Sequence, residues 1–219
     1  MPKAPMDETE INAKKERIID TAAEIVMEDG FQNLSMRKIG TKIGMTAANL
    51  YNYYSNKDEL NIAIRARAGN ILFTALDAAY REGGGIAEKM ARMIEVYIRF
   101  GVERPNYYSI MFDMQTPKYA DYVGTALETQ AWQEKESSER SLALLRQCVE
   151  DLKHEGYALP DNTGPFLIMI WGQLHGLVSL FNNRLIAEIS ASPEETLRDA
   201  GQLGFGLLLN HIGHPGGHP

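Results

Sequence analysis

An all-α fold is the expectation for this sequence, and three observations carry it. Apolar residues recur at helical spacing along nearly the whole chain. Alternating β-branched runs are absent, and Gly and Pro fall between the periodic segments. With 44% hydrophobic and 23% charged residues in 219, the composition is that of a globular protein rather than a disordered one. About nine helices are predicted. They form an N-terminal three-helix domain over 1–55, a longer helical domain over 56–212 and a flexible Gly/Pro-rich tail over 213–219.

The first helix is placed at about Asp7 to Asp29. Ile11, Ile18, Ala22, Ile25 and Val26 form its apolar stripe, and Gly30 stops it. Ser35 caps a short second helix with Met36, Ile39 and Ile43 on one face, ended by Gly44. Thr46 caps a third, very short helix through Tyr53 or Tyr54. Asn56 caps a fourth, with Glu59 at capping-box spacing, and Leu60, Ile64, Ile71 and Ala75 carry it to about Arg81. After the break at Gly83-Gly84-Gly85, helices are expected at about 86–103, 105–114, 118–155, 163–189 and 194–211. Pro105, Pro117, Pro160, Pro165 and Pro193 lie at or near the gaps, where proline is tolerated.

Several function classes are disfavoured at once. The single cysteine, Cys148, rules out an intramolecular disulfide framework and a two- or four-cysteine zinc site. It reads as a small buried hydrophobe. No P-loop, Gly-x-Ser-x-Gly elbow or His-Glu-x-x-His occurs, so no enzyme, cofactor or metal is expected. His211, His214 and His218 could catch a metal by chance, but a disordered C-terminal end outweighs that reading. The polar stretch Met1–Glu16 lacks the apolar core of a signal peptide. No apolar run reaches the roughly 18 residues of a membrane span, the longest lying around Phe166–Trp171. A cytoplasmic setting without a membrane partner follows.

The formal net charge is −7, which argues against a nucleic-acid partner until it is divided by position. Residues 1–30 carry −4 and residues 58–219 carry −7. Between them, Phe31 to Lys57 hold Arg37, Lys38, Lys42 and Lys57 and no acid, a +4 window. The same window has helix-turn-helix proportions. Gly40 sits where two helices cross, Gly44 lies in the turn, and Leu50 closes the second helix onto the core. Spacing alone does not separate this from an ordinary helical hairpin; the cleared acids do, because a solvated face normally mixes signs.

The polar residues there suit DNA. Ser35 and Thr46 stand at helix N-termini, where a hydroxyl and backbone N–H groups meet phosphate. Tyr51 and Tyr53 have hydroxyls long enough to reach phosphates, and Lys57 adds charge at the next helix. Ala47, Ala48 and Asn49 are small or short, letting the helix enter the major groove, with Asn49 able to read adenine and an alanine methyl able to touch thymine.

These residues closely resemble the TetR/AcrR family of transcriptional regulators. The resemblance rests on Gly30-Phe31, Ser35-Met36-Arg37-Lys38-Ile39-Gly40, Ile43-Gly44-Met45-Thr46, Leu50-Tyr51-Asn52-Tyr53-Tyr54 and Lys57-Asp58-Glu59-Leu60, matched in order over about 30 residues without a gap. Gly40 stands where the family usually has Ala, Ala48 where Gly is frequent, and Tyr53 and Tyr54 at the usual His and Phe positions. The resemblance implies phosphate contacts for Thr46, Tyr51, Tyr53 and Lys57, an inward Tyr54 and a groove or phosphate contact for Arg37. With Ser35, Lys38, Ala47, Ala48 and Asn49, these are the expected DNA-binding residues.

The acidic, helical remainder is rich in bulky residues. Most read as core, but clustered Tyr and Met also suit a small-molecule cavity. The family places an inducer or co-repressor in this domain, which implies a largely apolar effector. Tyr97, Phe100, Tyr108, Phe112, Trp132, Trp171 and His175 are the candidate ligand residues. Trp171, His175 and Gly176 resemble the Trp…His-Gly signature of one TetR C-terminal subgroup. The last two helices are apolar over much of their surface, with Gly172, Gly176, Gly201 and Gly204 permitting close approach. The family dimerises through these helices, so a homodimer is implied. The expected function is a ligand-responsive repressor that binds a pseudo-palindromic operator and is released by a small molecule. The alternative is a helical small-molecule binding or scaffold protein without DNA binding.

Overall fold

Short polar side chains start the helices, and local bonds at their ends decide where they stop. The computed structural model describes residues 7–213. The termini, including His214, His218 and nearly all of the expected tail, lie outside the described residues. Among the described residues there is no strand. The α-helices are α1 (Glu8–Asp29), α2 (Met36–Ile43), α3 (Ala47–Leu50), α4 (Lys57–Arg81), α5 (Ile86–Glu103), α6 (Pro105–Phe112), α7 (Tyr119–Tyr122), α8 (Glu128–His154), α9 (Gly164–Asn182) and α10 (Pro193–Ile212).

The caps follow the local sequence. The Asp7 carboxylate accepts the Glu10 N–H at 2.7 Å and starts α1. Before α4, Asn56 Oδ1 accepts the Asp58 and Glu59 N–H groups at 3.0 and 2.8 Å. Glu59 turns back to the backbone N–H and hydroxyl of Ser55, both at 2.6 Å. The reciprocal bond of the capping box therefore lands one residue earlier than the spacing suggests.

Three expected helices are shorter than the periodicity implies. The third stops at Leu50, and residues 51–53 form turns. There Tyr53 N–H bonds Leu50 O at 2.9 Å, which tightens the chain as Tyr54 turns into the core. The helix expected over 118–155 is interrupted between α7 and α8. Val123 is extended and Gly124 has φ +78°, while Thr125 Oγ1 accepts the Leu127 N–H and Glu128 accepts the Gly124 N–H. The helix expected over 163–189 ends at Asn182. Arg184 takes φ +61°, Asn183 Nδ2 donates to Ser179 O at 2.9 Å, and Ile186–Glu188 form a 3-10 turn. Side chains that bond their own backbone compete with the helix at both breaks.

The described residues divide into two compact units, one running to residue 69 with 106–137 and the other 70–105 with 138 onward. α4 and α8 each contribute to both. In the first unit, Ile18, Ile25, Val26, Ile39, Leu50, Leu60 and Ile64 form a fully buried core. Tyr107 donates to Asp20 at 2.7 Å, and Arg67 pairs with Glu16 and Asp20, tying α1 to α4 and α6. In the second unit α5, α9 and α10 pack together. A Cβ on Gly201 would lie 2.6 Å from Ile98 Cδ1, so that glycine lets α10 approach α5 closely. Cys148 is fully buried, with its Sγ 3.6 Å from Met93 Sδ, and burial pushes its thiol up to about 12.

α9 is long and apolar enough to cross a membrane by length and composition, while its uninterrupted apolar run stays short, as the sequence indicates. Gly172, Gln173 and His175 interrupt the run without lowering its average below that of a span. Only 22% of that stretch is buried within the chain.

Candidate nucleic-acid interface

The first unit presents the acid-free window on α2, the turn and α3. Ser35 adopts an extended backbone before α2, and its Oγ accepts the Lys38 N–H at 3.2 Å. Gly44 ends α2 in the left-handed region at φ +72°, a conformation that costs glycine little. Thr46 then starts α3, its Oγ1 accepting the Asn49 N–H at 3.2 Å. Met45 N–H closes the turn onto Gly40 O at 2.8 Å. A Cβ on Gly40 would overlap the carbonyl oxygen of Met45 and touch Leu50 Cδ1 at 3.4 Å. The turn is built around the missing side chain, which accounts for Gly at this position.

This framework sets the exposure of each expected DNA residue. Ser35, Arg37, Lys38, Thr46, Ala48, Asn49 and Tyr51 are exposed, Tyr51 at 55%. Ala47, Tyr53 and Lys57 are half-buried. Asn49 Oδ1 accepts from Asn52 Nδ2 at 3.4 Å, and Lys57 Nζ lies 4.9 Å from the Phe31 ring centroid. Tyr54 is buried instead, and burial together with Glu16 and Glu59 pushes its phenol up to about 12. It serves packing, while Tyr51 is left to the solvent.

Tertiary structure changes the charge balance that linear counting gave. Lys38 pairs with Asp29, and Lys42 lies 3.2 Å from Glu24 and 3.1 Å from Glu28, all three acids on α1. The hydrogen bond to Glu28 leads the contributions that hold the Lys42 amine above its ordinary value. Among the described residues, no carboxylate pairs with Arg37 or Lys57. Replacing Glu24 and Glu28 by Gln is expected to strengthen binding to unrelated duplex DNA and to steepen its salt dependence by about 0.9 for each additional phosphate neutralised. An unchanged slope in a fluorescence-anisotropy salt series would show that Lys42 does not face phosphate.

The candidate ligand residues divide between the units. In the second, Trp171 Nε1 donates to the Tyr97 hydroxyl at 3.1 Å; Phe100 is buried and His175 half-buried. In the first, Tyr108 is fully buried and meets Phe112 edge-on at 5.0 Å, while Trp132 is exposed and meets Tyr119 edge-on at 5.2 Å. Sequence reading missed the polar cluster of the first unit, in which Arg65 of α4 faces Glu134 of α8 at 3.4 Å. Its partners lie 69 positions apart, so no local pattern announces it. Among the described residues there is no group of three or more metal-ligating side chains.

Comparison with known proteins agrees with this architecture. Residues 18–64 match the model of the bacterial regulatory proteins of the tetR family. Residues 90–200 match that of the tetracyclin repressor-like C-terminal domain. An uncharacterised HTH-type transcriptional regulator of Bacillus subtilis (strain 168), YobS, is 26% identical over 98 residues, 45% of this chain and 51% of its own length. Another such regulator, in the dhlA 5′ region of Xanthobacter autotrophicus, is 38% identical over 56 residues, 26% of this chain and 28% of its own length. The match thus spans about half of the first relative and less of the second. A TetR family transcription regulator from Marinobacter aquaeolei VT8 superposes with a TM-score of 0.68 at 19% identity, covering 95% of this chain and all of that one, which shows a shared fold. With an N-terminal helix-turn-helix and a C-terminal domain match that spans half of its length, this chain belongs to the TetR family of DNA-binding transcriptional regulators.

Proposed function

We propose that the protein is a ligand-responsive repressor that binds a pseudo-palindromic operator as a homodimer and is released by a small molecule. The observation that carries this reading is the exposed face of α2 and α3, whose own residues include no acid and whose polar side chains are raised on two capped helix starts. Thr46, Tyr51, Tyr53 and Lys57 hold phosphates, with Ser35, Lys38 and Arg37 at the flank. Ala47, Ala48 and Asn49 face base edges, where an Asn can bond adenine in a bidentate manner. Half-sites about one helical turn apart match two such heads related by a two-fold axis.

The homodimer rests on the apolar face that α9 and α10 leave uncovered. Ile168, Met169, Leu180, Leu203 and Leu207 are all exposed within one chain. A second copy covers that face and adds a large, non-directional contribution to stability. The effector binds in the C-terminal region and acts only through its affinity difference between DNA-competent and DNA-incompetent conformers.

A gel shift with the DNA immediately upstream of the gene tests the reading, and two variants test the roles. Lys57→Ala is expected to weaken every duplex alike and to lower the salt slope by about one for each phosphate that a subunit no longer neutralises. Asn49→Ala is expected to relax preference at one base-pair position per half-site, at about 1–3 kcal/mol. A uniform loss for Asn49→Ala removes it from the base readers. No shift on any upstream fragment removes the repressor reading.

A further inference from the structure

We infer that Arg65 and Lys118 form a receptor for the carboxylate of a small organic ligand with an apolar body. The inference rests on the ligand-responsive reading above and gives the effector a charged headgroup.

Four side chains of the first unit define the place. Arg65 is 13% exposed, and its Nε has no hydrogen-bond partner. Its Nη1 makes only long bonds, 3.3 and 3.4 Å, to the carbonyls of Ile110 and Met111. Glu134, 5% exposed, lies 3.4 Å from Arg65 Nε. Lys118 is half-buried and donates to the buried Thr116 hydroxyl at 3.1 Å. Asp121 on α7 faces Lys118 too, but its carboxylate already accepts the Lys118 backbone N–H at 2.8 Å.

Two cations converge from α4 and the segment before α7; the buried Glu134 faces them from α8, and the exposed Asp121 faces Lys118 from α7. Burial and the neighbouring Arg65 charge depress the Lys118 amine to about 8, against the opposing pull of Glu134 and Asp121. Arg65 has Glu134 as a charge partner, but its Nε makes no hydrogen bond, and a buried donor left unmade is costly. A guanidinium beside an ammonium supplies a planar fork and a point charge, the pairing that suits a carboxylate.

The surroundings are apolar. Ile62 stands one turn before Arg65 on α4, and Ala131 one turn before Glu134 on α8. Together with Tyr122 they form a buried cluster against which Tyr119 and Leu127 pack. A ligand whose carboxylate reaches Arg65 and Lys118 would lay its apolar part against Tyr119 and Leu127, which are only partly buried.

Calorimetric titration of the full chain with octanoate, octanol and inorganic phosphate tests the site. Octanoate is expected to bind saturably and more tightly than either of the others. Lys118→Met is expected to weaken octanoate by about tenfold to a hundredfold, the value of a charged hydrogen bond. Lys118→Arg is expected to keep most of the affinity, which separates lost charge from lost folding. Octanoate affinity is expected to fall as pH rises through about 8, because the deprotonated amine no longer attracts the anion. Octanol or phosphate binding as tightly as octanoate, an unchanged affinity in Lys118→Met, or no saturable heat from octanoate overturns the inference. Octanoate binding that depends on Lys118 yet leaves the gel shift unchanged supports the site and counts against ligand release.

Discussion

A chain carrying Leu203→Glu and Leu207→Glu is expected to sediment as a monomer and to lose about a hundredfold or more of its affinity for a two-half-site operator. The two leucines are 64% and 61% exposed and lie one turn apart on α10. Within one chain they touch little, so the substitutions cost folding only about 0.5 kcal/mol or less. In an interface between two copies, each glutamate would have to shed water against apolar side chains, which disfavours association strongly. On the proposed dimeric reading, operator affinity depends on that association, because the second recognition helix binds at the high effective concentration that tethering gives it. Sedimentation velocity and gel shift on one preparation check both halves. A double variant that stays dimeric would place the dimer contact elsewhere.

Gly40→Val is expected to have the second large effect, destabilising the N-terminal unit by about 3 kcal/mol, at the upper end of the cost of overpacking. A side chain there meets the Met45 carbonyl oxygen, which is backbone and is already fixed by the bond from Met45 N–H to Gly40 O. The neighbour on the other side is Leu50, fully buried in the core. Neither can give way without moving the turn that aims α3. DNA affinity is expected to fall along with the melting temperature, and Gly40→Ala should give a smaller loss of the same kind. Melting indistinguishable from the parent for Gly40→Val would show that the turn shifts at no cost.

The helix starts were legible because their signals are local. Asp7, Ser35, Thr46 and Asn56 each bond a backbone N–H two or three residues ahead, and that geometry is fixed by side-chain length alone. Gly44 was legible for the same reason. The breaks near Gly124 and Arg184 were not. The apolar period continues across both, and the bonds from Thr125, Glu128 and Asn183 that interrupt it are worth little singly. Periodicity reports which face is apolar, and it passes over a turn that keeps the same face inward.

By itself, the sequence determined an all-helical chain, the position of its helix-turn-helix and the family to which it belongs. Each of those rests on residues within a few turns of one another. Only the tertiary structure decided how much of the +4 window stays available, because α1 folds back and sets Glu24, Glu28 and Asp29 against Lys38 and Lys42. It alone brought Arg65 and Lys118 together with Glu134 and Asp121. Electrostatic interaction falls with distance in space, not along the chain, so charges counted in sequence windows do not report which neighbours packing will supply.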